Sequence, residues 1–420
     1  MTHSKDLKLT AEDVTLGANH PWQRLWIVFA GLGLVGLALS FVLQSYGAKG
    51  QLAHSYLVAF IFFLSIALGG VFFVLIQFAS KAGWSVVVRR VAETCMATLP
   101  LFVLLFIPVY WGMNELYHHW LDQAAVAADP VLRHKSPWLN ASFFLARAAL
   151  YLGAWSGMAL YFYRQSVKQD DSGQHAITRR LQVVSAPGLV VFAITVSFAS
   201  FDWMMSLDPH WYSTIYGVYY FAGCMVAIFA VMILLAVVIE RPGGLRKGII
   251  TVEHLHDLGK LMFAFTVFWS YIAVSQFLLI WYANIPEESL FFAKRWYVVS
   301  HGAGASAQWP LSTWRHVTLV LVLGHFVVPF LFLMPRAIKR NKTFLVLGAS
   351  WMLLMHLLDT YWLIMPNLHT QGVQFSVLDI TTLLGVGGIF FAGFFWLLRR
   401  EAMVPVGDPR LGESLRFENY

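Results

Sequence analysis

Ten runs of mainly apolar residues dominate this chain, at approximately 23-46, 54-79, 89-112, 138-163, 180-203, 213-239, 256-284, 314-335, 343-365 and 376-399. Bilayer hydrocarbon offers no hydrogen-bond partner to the backbone, so each run must satisfy its own peptide groups, and about 20 helical residues suffice to cross. The period-2 alternation of a membrane β-barrel is missing. With 58% hydrophobic and 12% charged residues, the 420-residue chain is too apolar for a string of soluble domains. The expectation is an all-α polytopic membrane protein with ten transmembrane helices.

The first 22 residues form a polar segment that includes Lys5, Asp6, Lys8, Glu12 and Asp13. No Ala-x-Ala-like cleavage site follows a short apolar core, so the run from Trp22 reads as a retained helix. The membrane domain is expected over 23-399 and a tail over 400-420. An even number of crossings puts both termini on one face. That face collects about 22 Lys and Arg against about 6 opposite, which makes it cytoplasmic by the positive-inside rule. Its clusters are Lys81/Arg89/Arg90, Arg164/Lys168/Arg179/Arg180, Arg241/Arg246/Lys247 and Arg336/Lys339/Arg340/Lys342. The net charge of +7 is thus a topology signal, and no soluble basic domain is present to bind nucleic acid.

Several chemistries are disfavoured by what the motifs lack. Gly243-Gly244, between Pro242 and Leu245, has no Walker pattern, so ATP-driven transport is not indicated. Cys95 and Cys224 are too few for a Cys₄ cluster, and no C-x-x-C-H haem-attachment motif occurs. Of the 17 tryptophans, Trp22, Trp111, Trp138, Trp211, Trp281 and Trp362 fall near span ends, as interfacial belts require. The longest connections opposite the termini are about 113-137 and 285-313. The second carries Pro286-Glu287-Glu288 and His301-Gly-Ala-Gly, and is expected to pack on a partner or cover the membrane domain.

Asp202 precedes Pro209 in the fifth run by the interval that separates Asp359 from Pro366 in the ninth. A step of four helices preserves direction, so this match predicts a parallel repeat: two four-helix bundles, about 54-203 and 213-365, plus one peripheral helix at each end.

Charge near hydrocarbon is costly, by about 2.5–3.5 kcal/mol on insertion scales, and so marks candidate sites. Asp202, Asp208 and His210 crowd the end of the fifth run. His356 and Asp359, three apart, share a helix face and form a pair able to hold or pass a proton. His325 lies near mid-membrane between Gly324 and Pro329, where local loosening of the helix is expected. Arg147, always charged, should face an acid, with Asp202, Asp359 and Asp379 as candidates. Glu93 and the His254/His256/Asp257/Lys260 group form a second protonatable set at the cytoplasmic ends. Each of these also has a purely structural reading, as an ion pair pinning helices or a solvated helix end.

Taken in order, FDWMMSLDPHWYSTIYGVYYFAG, HFVVPFLFLMPRAIKRNK and MHLLDTYWLIMP on ten spans resemble the NrfD/PsrC-like membrane subunits, above all the second, ActF-type, membrane subunit of bacterial alternative complex III. The resemblance covers nearly the whole chain. It implies a membrane subunit of a respiratory quinol:cytochrome c oxidoreductase, in a bacterial inner membrane, that is not catalytic alone. It maps the family's proton-path residues onto Asp202, Asp208, His210, His325, His356 and Asp359; position and charge add Asp379 and Arg147 to the outer cluster, and Glu93, His256 and Asp257 as a cytoplasmic entry with His325 between. The resemblance further implies no metal or covalent cofactor in this chain. Iron–sulfur clusters and haem c would belong to partner subunits, beside a paralogous membrane subunit, small membrane subunits, a terminal oxidase and lipids. A quinone or menaquinone pocket here stays open, as do a secondary transporter, an inert scaffold and, least favoured by its single deep His pair, a di-haem cytochrome b.

Overall fold

A computed structural model describes residues 9–240, 244–299 and 309–419. Lys5, Asp6, Lys8, Arg241, Pro242, Gly243 and the His301–Gly304 motif lie outside the described residues. Ten helices long and apolar enough to cross a membrane are present: α1 Pro21–Leu43, α2 Gln51–Ala79, α3 Val86–Trp111, α4 Ala141–Ser172, α5 His175–Leu207, α6 Tyr216–Ile239, α7 Val252–Ala283, α8 Trp314–Leu333, α9 Lys342–Asn367 and α10 Val377–Leu398. The chain is an all-α polytopic membrane protein.

Helices α2 to α5 pack as one four-helix bundle and α6 to α9 as a second, with α2 and α6 meeting along the joint. Both central helices are apolar on every side because neighbours surround them, so they show no polar face. Helix α3 is broken into three pieces, 86–96, 99–105 and 107–111. Pro100 and Pro108 each open a new piece, since proline lacks the N–H that would continue the preceding turn.

The helices at the chain ends do not flank opposite bundles. Helix α10 lies against α2 and α3, and α1 lies on α10, so both cover the first bundle. Small residues permit this approach: a Cβ on Gly36 would stand 2.6 Å from the Gly385 nitrogen. Ser40 then donates to Gly36 O and to Thr381 Oγ1, each at 2.8 Å.

The segment after α10 is a folded strap, where the sequence suggested a tail. Met403 N donates to Val14 O at 2.7 Å, Ser414 accepts from Val87 N, and Asn419 reaches Asp257. Two of the six expected belt tryptophans, Trp211 and Trp362, turn inward, and a third, Trp138, stays partly exposed while its indole N–H is engaged. Trp211 stacks on Phe291 of the short helix Pro286–Trp296 with centroids 4.1 Å apart, Trp362 binds Thr318, and Trp138 binds Asp202. Trp111 and Trp281 stay largely exposed, as a belt requires.

Candidate functional site

The outer residues grouped by sequence separate into distinct constellations. Asp202, at the end of α5, is saturated. Arg147 Nε donates to Oδ2 at 2.7 Å and Nη2 to Oδ1 at 2.8 Å, Tyr151 OH donates to Oδ2 at 2.8 Å, and Trp138 Nε1 to Oδ1 at 3.0 Å. The guanidinium is sandwiched between Trp138 and Phe143, 4.1 and 4.3 Å from their centroids. A planar fork meeting a carboxylate side-on is the strongest form of this pair. Among the three acids offered to Arg147, the fold selects Asp202 and excludes Asp359 and Asp379.

Asp208 and His210 diverge from Asp202 because a 3₁₀ turn, Met205–Leu207, ends α5 and redirects the chain. Asp208 accepts from Lys294 at 2.6 Å, and His210 Nε2 lies 2.6 Å from Asp129 Oδ2 in a partly exposed pair. The hydrogen bond from His210, ahead of those from Val131 and Leu132 backbone, holds Asp129 below its usual range. Asp379 forms a capping box with Ser376 at the start of α10 and accepts from Ser55 at 2.5 Å and Gln51 at 3.2 Å. Gln51 Oε1 in turn meets His369 Nε2 at 2.7 Å.

Burial lowers the pKa of His369 from 6.5, so the folded state favours its neutral ring. A depressed folded value means that this stabilisation is complete above the unfolded value and fades as pH falls through the folded one. Thermal unfolding is expected to occur earlier as pH drops from about 7 to about 5. His369→Gln, which keeps a donor and does not titrate, should flatten that slope.

The second bundle holds a different arrangement. His356 and Asp359 share a face of α9 yet point to different neighbours, because three residues advance a helix by about 300°, leaving about 60° between them. His356 Nε2 lies 2.8 Å from Ser65 Oγ of α2, so this contact crosses the joint between bundles, and its Nδ1 has no partner. Asp359 accepts from Tyr219 OH of α6 at 2.5 Å and from Trp269 Nε1 of α7 at 3.2 Å. The expected direct His356–Asp359 pair is therefore replaced by two contacts to separate helices.

Trp269 links Asp359 to His325. The two rings stand 3.9 Å apart and 37° from parallel, and both His325 nitrogens are buried without a hydrogen-bond partner. His325 sits in a π-helical turn, Val322–Val327, which fulfils the expectation of loosening. Trp351 Nε1 donates to the Gly324 carbonyl of this turn at 2.7 Å.

Gly223 makes room for His356: a Cβ there would lie 2.7 Å from its Cε1 and 3.0 Å from its Nδ1. Gly223→Ala is expected to cost about 1–3 kcal/mol by overpacking. Thermal unfolding of the purified protein measures this; an unchanged transition would mean that the ring has free space.

Asp202 and Asp359 occupy equivalent places, each near the end of the last helix of its bundle, before a 3₁₀ turn. Each accepts from one Tyr hydroxyl and one Trp indole. The difference is the cation: Asp202 has Arg147, and among the described residues no Lys or Arg comes within ion-pair distance of Asp359. The nearest analogue is Arg295, on the short helix, which donates to the carbonyls of Phe291, Trp362 and Leu363 and stacks on Phe291 at 3.6 Å. Burial lowers its pKa to about 10, against the opposing fields of Tyr216, Asp208, Tyr219 and Asp359.

At the face of the termini, Glu93 is buried in an ionic network. It accepts from Arg89 at 2.9 Å and Ser166 at 2.8 Å, and Arg90 Nε stands 3.3 Å away. Arg89 also binds Asp408 of the strap at 2.6 Å, and Arg90 binds Asp170 at 2.5 Å. Glu93 is thus held by two cations. His256 is buried with Nδ1 unpartnered, while Asp257 pairs with Lys260 and Asn419.

Sequence reading missed Tyr219, Trp269, Ser65, Arg295 and Asp408. Their only signal was a polar or aromatic residue within an apolar run, or a charge in a connection, which does not identify a contact. Among the described residues no group of three or more His, Cys, Asp or Glu is placed to hold a metal ion. Compared with protein-family models and with curated proteins, the chain matches none.

Proposed function

We propose that this chain is a membrane subunit of a respiratory quinol:cytochrome c oxidoreductase of the NrfD/PsrC-like kind, and that its second bundle carries protons. The observation that carries this reading is the contrast between the two acids. Asp202 is locked by Arg147, whereas Asp359 has the same Tyr and Trp donors without a guanidinium. Asp359 can therefore exchange a proton without breaking an ion pair, and Trp269, which donates to Asp359, also packs on His325, whose free nitrogens offer a further acceptor that a proton would reach through water, since an indole N–H does not relay protons.

In this reading Asp202 and Arg147 brace the first bundle, and the part-buried pair Asp208–Lys294 and the more exposed pair His210–Asp129 lie at the mouth. Glu93, His256 and Asp257 stand at the cytoplasmic side of a bacterial inner membrane. Iron–sulfur and haem c groups reside in partner subunits, and quinol is oxidised beside them. The second-bundle core fits a proton or a water better than a quinone ring, because His325 already occupies a face of Trp269. An inert scaffold is the second reading, favoured by the locking of Glu93 and Asp202 in ion pairs.

The test is isolation of the tagged chain from its native membrane. It is expected to bring iron–sulfur proteins and c-type cytochromes, visible by electron paramagnetic resonance and haem absorbance. A chain that purifies alone and moves a solute in liposomes would instead be a transporter.

A further inference from the structure

We propose that a cleft between α1, α2 and α3, at the face opposite the termini, binds one phospholipid with a primary-ammonium headgroup. The cleft has a volume of about 140 Å³ and is lined chiefly by Leu37, Phe41, Pro108 and Trp111, with Gln44 and Glu115 among its polar groups. A dry cavity of about 150 Å³ accepts a benzene-sized guest, so this one takes a segment of a single chain or its glycerol ester, not a whole lipid. The remainder has an apolar path. Leu104, one helical turn before Pro108, is 64% exposed, and Leu34, one turn before the Leu37 and Phe41 face, is equally open.

The polar groups divide into committed and free. Ser40 is bonded to Gly36 and Thr381, and Tyr56 donates to Leu105 O at 2.7 Å. Gln44 and Glu115 have no partner among the described residues, and Glu115 is the only charged residue lining the cleft. A single anion at the polar end of an apolar slot selects a cationic donor. A primary ammonium supplies both charge and N–H groups; a quaternary ammonium supplies charge alone, and an anionic headgroup is repelled.

A second charge lies beside the first. A Cβ on Gly50 would stand 3.8 Å from Glu115 Cβ, which places the neighbouring Lys49 next to the cleft. Lys49 is exposed and among the described residues no ion pair ties it down, so its flexible side chain is free to reach a headgroup phosphate while Glu115 takes the ammonium. Phosphatidylethanolamine is the simplest lipid with that pair. This site is separate from the second-bundle core, and its test does not depend on proton transfer.

The experiment is native mass spectrometry of the purified protein released from nanodiscs holding equal amounts of phosphatidylethanolamine, phosphatidylcholine and phosphatidylglycerol. One retained phosphatidylethanolamine is expected, about fivefold over phosphatidylcholine, the upper range for an exposed ion pair. Glu115→Gln should erase that preference at an unchanged unfolding temperature. Lys49→Gln should reduce retention of both zwitterionic lipids alike. Equal retention by the parent protein, a preference that survives Glu115→Gln, or preferential retention of phosphatidylglycerol or a co-extracted quinone would overturn the proposal.

Discussion

Arg147→Ala is expected to destabilise the protein by about 3–5 kcal/mol, the cost of leaving a buried carboxylate without its cation. Asp202 is 1% exposed, and two of its four hydrogen bonds come from this guanidinium. The same substitution removes the donor to Trp138 O and the stacking between Trp138 and Phe143, so the segment entering α4 loses its anchor to α5. Thermal unfolding in detergent, followed by size-exclusion chromatography, measures the loss. The double variant Arg147→Met with Asp202→Leu should recover much of it, since a buried pair replaced by apolar groups of similar size is often nearly neutral. A single variant that melts like the parent would show that water reaches this carboxylate.

Asp359→Asn is expected to have the largest functional effect at little structural cost. Asparagine keeps one carbonyl oxygen to accept from Trp269, its amide N–H can donate to the Tyr219 hydroxyl, which turns to accept, and its volume is nearly the same, so assembly and unfolding temperature should stay near those of the parent. It cannot carry the proton. Proton movement coupled to turnover in the reconstituted complex should fall by about tenfold or more, each factor of ten corresponding to about 1.4 kcal/mol of barrier. Asp202→Asn is the informative companion: it should impair stability more than flux. If Asp359→Asn leaves proton movement intact, the path does not pass through the second bundle and the scaffold reading prevails.

The fold was legible because membrane insertion constrains each segment separately. All ten spans were recovered within a few residues at most ends, and the Asp202/Asp359 correspondence pointed to a division into helices 2–5 and 6–9, the groups that pack together. The site was legible only as a set of residue types. Arg147 announced that it needed an acid, yet three acids were available, and distance along the chain could not choose among them. His356 and Asp359 were correctly placed on one face, but a face about 60° wide can touch two different helices, and here it does. Glu93 looked like an open helix end; the strap that brings Asp408 to Arg89 closes it.

By itself, then, the sequence determined the number of crossings and the clustering of basic residues along it, because hydrocarbon tests each run of residues for polarity and length without reference to the others; the repeat of four helices it only suggested. Only the tertiary structure decided which buried charges meet, since that depends on helix rotation and on neighbours far away in the chain. It gave Asp202 a permanent cation and, among the described residues, Asp359 none, and on that single difference rests the proposal that the first bundle is braced while the second exchanges protons.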